Sequence, residues 1–522
     1  MSESLKTKFP PFSSERKSLA SRKPAIAWPM GVVLSSRRLL VFVFMLVIFT
    51  IAARPITDPD FWWHLKTGQY IVETRSIPHT DIFSTVRLGS EWIAHEWGTE
   101  VFIYSIYRAL GYGGLIIAFA MLIAIAFWIA YRRCHKHAPH PYVAGFAVIL
   151  GAIATLPTWG VRPQIFSILF ASIFLGILDH YSNNQKSRAI WWLVPLLVVW
   201  TNMHAGFAVG IAFVMLTMFG IVLDGLLLRG QAARDIVQAL RPIGLVLLAC
   251  IAAVCVNPNG VRLFSYPFET LTSRTMMQYI QEWRSPDFHE PMFQALSLMI
   301  LLTFGALALS KKRARPSEIL LLIATGWLTL RSSRNMPFFV LVAIPLLAKH
   351  SWSWITSHRW GQWLEKPETL AAETKLRLKL VLNVLLLVIA PLCLVTLRVQ
   401  NTVASQPDAE LKDYPSVAVE FLRANKLAQP IYNEYAWGGY LIWRLYPDYK
   451  VYIDGRADVY GDSMIDEFLD IHEGSPVWRQ KLNQRGIRTV LVKPDVPLAS
   501  LLREDREWRN VFEDKQAVIF VR

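Results

Sequence analysis

The sequence predicts a polytopic α-helical membrane protein that carries a C-terminal α/β domain. Of its 522 residues, 53% are hydrophobic and 18% are charged, whereas an ordinary globular protein is about 25% charged. Apolar segments of roughly 20 residues, long enough to cross a bilayer, recur through the first 397 residues. From about residue 399 the pattern changes to short β-type and helical segments. This composition excludes a soluble multidomain enzyme, a disordered chain and a disulfide-rich scaffold.

About eleven apolar segments are predicted to span the membrane between residues 38 and 397, and the basic residues orient them. Twelve Lys and Arg residues lie in the short loops on one side and three on the other. The positive-inside rule therefore places the basic N-terminal tail, residues 1–37, in the cytoplasm. Because the number of spans is odd, the α/β domain, residues 398–522, is expected on the extracytoplasmic side. The predicted spans are 38–53, 112–131, 142–159, 163–181, 189–203, 205–228, 242–257, 292–310, 317–331, 335–349 and 379–397.

The first apolar segment has a second interpretation, as a signal peptide, because Ala52 and Ala53 mimic a cleavage site. The basic region of about 37 residues before it is far longer than the n-region of a signal peptide. We therefore expect this segment to remain as a membrane anchor.

The net charge of +15 does not indicate a nucleic-acid partner. Residues 398–522 contain 17 basic and 19 acidic groups, so the positive excess lies in the tail and the short loops of the first 397 residues. No basic face is interleaved with aromatic residues, as single-strand binders need. The four cysteines fall in predicted spans or in a cytoplasmic loop, which excludes an outer disulfide framework.

Two predicted outer loops, 54–111 and 258–291, are long enough to be functional rather than simple connections. The first combines carboxylates with imidazoles, groups that act as general bases or hold a divalent cation against a phosphate. If a helix begins at Asp60, that residue and His64 share one face. The candidates in this loop are Asp58, Asp60, His79, Asp81, His95 and Glu96.

A purely structural interpretation of the same segment is equally open. Asp58 suits a helix N-cap, Pro59 suits the first helical position, and Asp60 complements the helix dipole. Trp62 and Trp63 would then be interfacial anchors.

Three arginines, Arg162, Arg331 and Arg334, fall at the predicted outer ends of spans and are candidates for binding a lipid phosphate. The alternative is ordinary snorkelling at the interface. Asn202 and His204 lie between the fifth and sixth spans, where polar groups either bind substrate or join helices by hydrogen bonds.

In the C-terminal domain, the segments QPIYNE, YKVYIDG, RTVLVKP and AVIFVR predict strands. Helical segments lie between them: VAVEFLRANK, WGGYLIWRLY, SMIDEFLDIHE and LASLLREDREW. Polar residues at the ends of the first two strands, Glu434, Asp454 and Arg456, are candidates for an acceptor-facing edge. The alternative for Asp454 and Arg456, together with the neighbouring Asp458, is a charged turn without a role in binding.

The first outer loop resembles that of GT-C glycosyltransferases, above all the catalytic subunits of oligosaccharyltransferases. The likeness lies in the acidic stretch DPDFWWH just past the first span, the turn IPHTDIFS and Gly89. Eleven spans with a C-terminal outer domain match that architecture. A second likeness is the layout of NEYAWGGYLIW followed by YKVYIDGRADVYG, which is similar to the W-W-D-Y-G stretch and its following strand. The Trp-Trp-Asp that binds a peptide acceptor in oligosaccharyltransferases is missing, so the resemblance does not imply asparagine glycosylation by this chain.

The resemblance implies a glycosyltransferase of the bacterial inner membrane that moves a sugar from a polyprenyl-phosphate-linked donor to an acceptor on the outer face. Asp60, with Asp58 beside it, would be the acceptor base or would bind a divalent cation, Mg or Mn. His95 and Glu96 are further catalytic candidates. The expected partners are the donor, membrane lipid and a protein or glycan acceptor.

Two alternatives stay open. One is a transporter or flippase for a lipid-linked or small solute, which the scarcity of ionisable groups within spans and the lack of an inverted repeat disfavour. The other is a non-catalytic assembly protein that keeps the GT-C fold.

Overall fold

The structure is a computed structural model, and it describes residues 36–138, 140–362 and 383–522. The predicted basic tail lies almost entirely outside these residues. Residues 350–378, whose tryptophan and lysine content predicts an interfacial helix, and the predicted span 379–397 are described only in part. The described residues are mostly helical, with a small sheet near the C-terminus.

A helix occupies each of the eleven predicted span positions within the described residues. Seven of the described helices are long and apolar enough to cross a membrane, whereas the others are shorter, so eleven spans stay a prediction. The helices are Ser36–Ala52, Trp97–His135, Pro141–Ala154, Gln164–Asn183, Leu193–Met203, Phe207–Leu227, Ala233–Ala253, Gln294–Leu309, Pro316–Arg331, Met336–Thr356 and Ala390–Ala404.

The second of these helices begins 15 residues before the predicted span. It runs from Trp97 to His135 and is kinked at Gly111, whose φ of 61° lies in the left-handed region that favours glycine. The half before the kink packs against the helix Phe61–Thr74 of the first long loop. Gly68 makes that packing close, since a β-carbon there would collide with the Glu100 carbonyl. The chain before the kink therefore continues the helix into the loop region.

The two ends of the bundle carry different sets of polar contacts. At one end, the loops predicted to be outside meet around a polar cavity. The other end holds the ion pairs Arg133–Asp179 and Lys349–Glu318, each with a nitrogen to oxygen distance of 2.6 Å, and Asp224 accepts the Ser317 hydroxyl. The loops thus separate as the alternating topology predicts, while the membrane side that each end faces stays a prediction.

The C-terminal part of the chain forms a four-stranded sheet in the order β1-β2-β4-β3. The strands are β1 (Ile431–Asn433), β2 (Thr489–Val492), β3 (Arg509–Glu513) and β4 (Val518–Val521). β1 and β2 are parallel, whereas β4 is antiparallel to both β2 and β3. The helices around it are Gln406–Asp413, Ser416–Asn425, Gly438–Leu445, Ala457–His472, Trp478–Gln484 and Pro497–Glu504.

Two predictions for this sheet are wrong. The helix predicted through Trp508 ends at Glu504, and β3 follows it, paired with β4. The segment YKVYIDG forms no strand of the sheet, because its backbone pairs with the first long loop instead. The Val451 N–H donates to the Phe83 carbonyl at 3.1 Å, and the Val451 carbonyl accepts the Thr85 N–H at 2.9 Å. This segment therefore joins the C-terminal domain to the loop that carries the candidate residues.

Candidate active site

A polar cavity of about 470 Å³ lies at the end of the bundle where the predicted outer loops meet. Its walls come from both long loops, from three short turns between helices, and from two segments of the C-terminal domain. The charged and polar residues that line it are Asp58, Asp60, His64, His95, Glu96, Arg162, Gln164, His204, Tyr266, Glu282, Arg334, Tyr435, Arg456 and Asp458.

Asp58 and Asp60 flank the turn that begins the helix Phe61–Thr74. The Asp60 backbone N–H donates to Asp58 Oδ1 at 2.9 Å, which fixes the turn. Asp60 occupies the N-cap position but makes no capping hydrogen bond, and its Oδ1 accepts the Trp63 indole N–H at 3.2 Å. The N-cap was expected at Asp58, but it is Asp60, two residues later in the chain. The carboxylate of Asp60 is directed to the cavity rather than to the helix end.

Arg162 joins the first loop to the second long loop. Its Nε lies 3.0 Å from Asp58 Oδ2, and its two terminal nitrogens bind the Glu282 carboxylate. Glu282 lies in a turn of the second long loop. Its backbone carbonyl accepts the hydroxyls of Ser332 and Ser333, each at 3.0 Å. Four separate connecting segments are held together by this set of contacts.

Glu96 stands at the centre of a cluster of three imidazoles. The Nε2 atoms of His64, His95 and His204 lie 3.6, 3.4 and 3.4 Å from its carboxylate oxygens. The His95 ring packs on Tyr266 with 4.0 Å between ring centroids. Glu96 and the three histidines are buried, so these contacts form away from bulk water.

The two aspartates of the turn hold their protons more tightly than usual. Burial, together with the charge of Asp58, raises the pKa of Asp60 to about 8. Burial also raises the pKa of Asp58, and it outweighs the opposing effect of Arg162. A carboxyl group with a pKa close to the working pH is suited to act as a general base.

The imidazole cluster contains one ion pair. Burial lowers the pKa of both His64 and His204 to about 3, so these two rings are neutral. Burial also opposes the charge of His95, but the adjacent Glu96 outweighs it and raises the pKa of His95 above its usual value. Glu96 stays ionised, because the imidazoles lower its pKa despite its burial.

The C-terminal domain closes the cavity by close packing on the aspartate turn. Gly439 faces the Pro59 carbonyl and Gly455 faces the Asp60 carboxylate, with no room at either glycine for a β-carbon. The two stretches that carry the sequence resemblance, DPDFWWH and the NEYAWGGYLIW to DGRAD region, are thus in direct contact.

Arg456 lines the cavity and anchors this packing. Its side chain is fully buried, with Nη1 2.8 Å from Asp81 Oδ1 and Nη2 2.6 Å from Asp454 Oδ2. The guanidinium also lies over the Trp92 ring, 4.6 Å from its centroid. Asp81 and Asp454 are therefore partners of Arg456 and are not among the residues that line the cavity.

Four other predicted site residues also lie away from the cavity lining. His79 and Arg331 are exposed, and Arg331 stacks on a tryptophan ring. Asn202 accepts an indole N–H and donates to backbone carbonyls, so it joins neighbouring segments. Glu434 is paired with an imidazole of its own domain. The structure gives these four residues local partners, and a role in binding stays a prediction for each.

Several residues of the cavity wall were not predicted from the sequence, among them Tyr266, Glu282 and Trp283. The signal available for them was the length of the loop 258–291, which indicated function without pointing to positions. Asp458 was interpreted as part of a charged turn, but it lies in the cavity wall near His95.

A second, mostly apolar cavity of about 200 Å³ shares part of this wall. Arg334 belongs to both cavities, with its guanidinium 5.2 Å from the Trp283 ring centroid and Nη2 3.3 Å from His204 Nε2. His95 and Tyr266 also line both. The apolar lining comes from Ile168, Val209, Leu328, Pro337 and Phe338, among others.

The fold is similar to that of known membrane glycosyltransferases. The archaeal oligosaccharyltransferase AglB from Archaeoglobus fulgidus, in complex with an inhibitory peptide and a dolichol-phosphate, superposes with a TM-score of 0.53 at 10% identity. The match covers 87% of this chain and 69% of AglB. The A. fulgidus oligosaccharyltransferase in complex with Zn and sulfate gives a TM-score of 0.50 at 12% identity, over 87% and 68% of the two chains.

ArnT from Cupriavidus metallidurans bound to undecaprenyl phosphate gives a TM-score of 0.47 at 14% identity, over 92% of this chain and 97% of ArnT. No protein-family model and no curated protein matches the sequence. AglB is a GT-C membrane glycosyltransferase, so the resemblance noted in the sequence is confirmed at the level of the fold. The chain has the GT-C fold.

Proposed function

We propose that this protein is a GT-C-type glycosyltransferase that transfers a sugar from a polyprenyl-phosphate-linked donor to an acceptor hydroxyl. The observation that carries the proposal is the junction of the two cavities. A polar cavity with a carboxyl base meets an apolar cavity, and a guanidinium belongs to both. A lipid-linked sugar phosphate has the same division into an apolar chain, an anionic link and a polar sugar.

The donor would lie with its isoprenoid chain toward the apolar cavity and its sugar in the polar cavity. Arg334 would bind the phosphate, because a guanidinium suits a planar, bidentate contact with phosphate oxygens. The adjacent Glu96 raises the pKa of His95, which favours a second positive charge on the wall that both cavities share. Arg162 is less suited to this task, since its three nitrogens already bind Asp58 and Glu282.

Asp60 would act as the general base. It takes the proton of the acceptor hydroxyl while that oxygen attacks the anomeric carbon and the bond from that carbon to the phosphate oxygen breaks. The electron pair of the broken bond leaves with the lipid phosphate, whose charge Arg334 and His95 stabilise. A single displacement of this kind inverts the anomeric configuration.

The neighbouring structures support the donor class at the level of analogy. AglB was solved in complex with a dolichol-phosphate, and ArnT was solved bound to undecaprenyl phosphate. For this chain we infer undecaprenyl-phosphate sugars as donors, a bacterial inner-membrane location and an extracytoplasmic catalytic end. The acceptor is a protein or a glycan that approaches the C-terminal domain.

Transfer from radiolabelled undecaprenyl-phosphate sugars in vesicles tests the proposal. The native chain is compared at matched protein levels with Asp60→Asn and with Asp287→Asn, an exposed carboxylate of the second long loop. We expect transfer to be lost in the first variant and kept in the second, with donor binding kept in both. Equal transfer by all three proteins would exclude Asp60 as the base.

A further inference from the structure

The carboxylates that a divalent cation would use in this cavity already bind a cation supplied by the chain. Arg162 Nε lies 3.0 Å from Asp58 Oδ2, and Nη1 and Nη2 bind the two oxygens of Glu282. The remaining oxygen of Asp58 accepts the Asp60 N–H, and Oδ1 of Asp60 accepts the Trp63 indole. Of these six carboxylate oxygens, Asp60 Oδ2 is the one for which the described structure gives neither a hydrogen bond nor an ion pair.

This geometry does not fit the expected metal site at Asp58 and Asp60. Hard divalent cations need several oxygen ligands around one point. Among the described residues, no group of three or more His, Cys, Asp or Glu side chains is arranged to hold a metal ion. To reach Asp58 and Glu282 together, a metal ion would have to displace a guanidinium from both.

The surroundings hold the Arg162 side chain in place. Pro163 follows it and precedes the helix Gln164–Asn183. Arg162 and Asp58 are both largely buried, with about 15% and 14% of their side chains exposed. The position of the Arg162 side chain is therefore fixed by its contacts within the protein.

We infer that Arg162 is the resident cation of this cavity, and that the protein uses it where a GT-C-type site would otherwise recruit a divalent metal. Its positive charge balances Asp58 and Glu282 and holds the two long loops at one distance. A guanidinium stays charged at every working pH, so this charge is permanent. The inference extends the proposed function, but binding of a metal ion can be measured without any transfer activity.

Binding of Mn²⁺ to the full chain in lipid nanodiscs, followed by electron paramagnetic resonance, is the direct test. We expect the native chain to bind no stoichiometric Mn²⁺, and Asp58→Asn to give the same result. A stoichiometric Mn²⁺ that is lost in Asp58→Asn would overturn the inference, whether or not the protein transfers sugar.

Two variants sharpen the test. Arg162→Ala removes the guanidinium and leaves Asp58 and Glu282 facing each other, so a folded variant is expected to gain a Mn²⁺ site that the double variant Arg162→Ala/Asp58→Asn lacks. A folded Arg162→Ala that gains none would contradict the inference. If the variant does not fold, the inference is tested on the native chain by two measurements. These are its binding of Mn²⁺ and its transfer activity with and without EDTA. Unchanged transfer supports the inference, and an EDTA loss restored by Mn²⁺ refutes it.

Discussion

Gly455 faces the Asp60 carboxylate so closely that a β-carbon on residue 455 would fall inside the contact distance of Asp60 Oδ1. These residues are 395 positions apart in the chain, one in the first long loop and one in the C-terminal domain. The domain therefore takes part in setting the position of the proposed base.

Gly455→Ala tests this relationship. The new methyl group is expected to push the Asp60 carboxylate aside and to lower kcat by about a hundredfold, since a small misplacement of a catalytic group can have that effect. Gly305→Ala is the matched control, because no atom lies within 4 Å of a β-carbon there. Transfer measured with both variants should separate them, and equal rates would show that Asp60 tolerates the displacement.

The pH dependence of transfer is expected to report Asp60. Its pKa of about 8, raised by burial and by Asp58, means that the base form grows as the pH rises, so kcat/KM should increase up to about pH 8. Asp58→Asn removes a like charge and lowers the pKa of Asp60. The rising limb of the profile of kcat/KM against pH should therefore move to lower pH. A limb that stays in place in Asp58→Asn would assign the titration to another group.

Arg334 and Arg331 form a natural pair for testing the donor site. Arg334 lines both cavities, whereas Arg331 is exposed three residues earlier and lies over the Trp327 ring. Arg334→Gln should weaken binding of the lipid phosphate about 10- to 100-fold, the range of one charged hydrogen bond. Arg331→Gln should leave it unchanged. Titration with undecaprenyl phosphate measures both, and equal affinities would remove Arg334 from the donor site.

The contact of Arg456 with Asp81 and Asp454 is expected to stabilise the junction between loop and domain. Arg456→Ala leaves two fully buried carboxylates without their counter-charge, which should lower the free energy of unfolding by about 3–5 kcal/mol. Arg274→Ala removes an exposed ion pair with Asp466 and should change it by less than about 0.5 kcal/mol. Unfolding of both purified variants in detergent measures the difference, and similar values would deny Arg456 this role.

The sequence predicted the features that depend on local pattern. Hydropathy located all eleven helices, because a segment in lipid must be apolar and must satisfy its own backbone hydrogen bonds. Asp60 and His64 were predicted to share a helix face, since residues four apart do so, and both line the cavity. Strands β1, β2 and β4 lie within predicted β segments. The segment around Val451 failed, because its backbone partner is a loop far away in the sequence.

Within the candidate site, the sequence determined which types of side chain are present, and the tertiary structure determined which of these side chains are in contact. The residue types showed that carboxylates, imidazoles and guanidiniums lie in the predicted outer loops. They did not show that Arg162 binds Asp58 and Glu282, or that Arg456 binds Asp81. Such pairings depend on which loops meet at one end of the bundle, and a local pattern carries no information about contacts between distant segments. The partners of Arg162, on which its proposed role depends, are therefore determined by the packing of three loops.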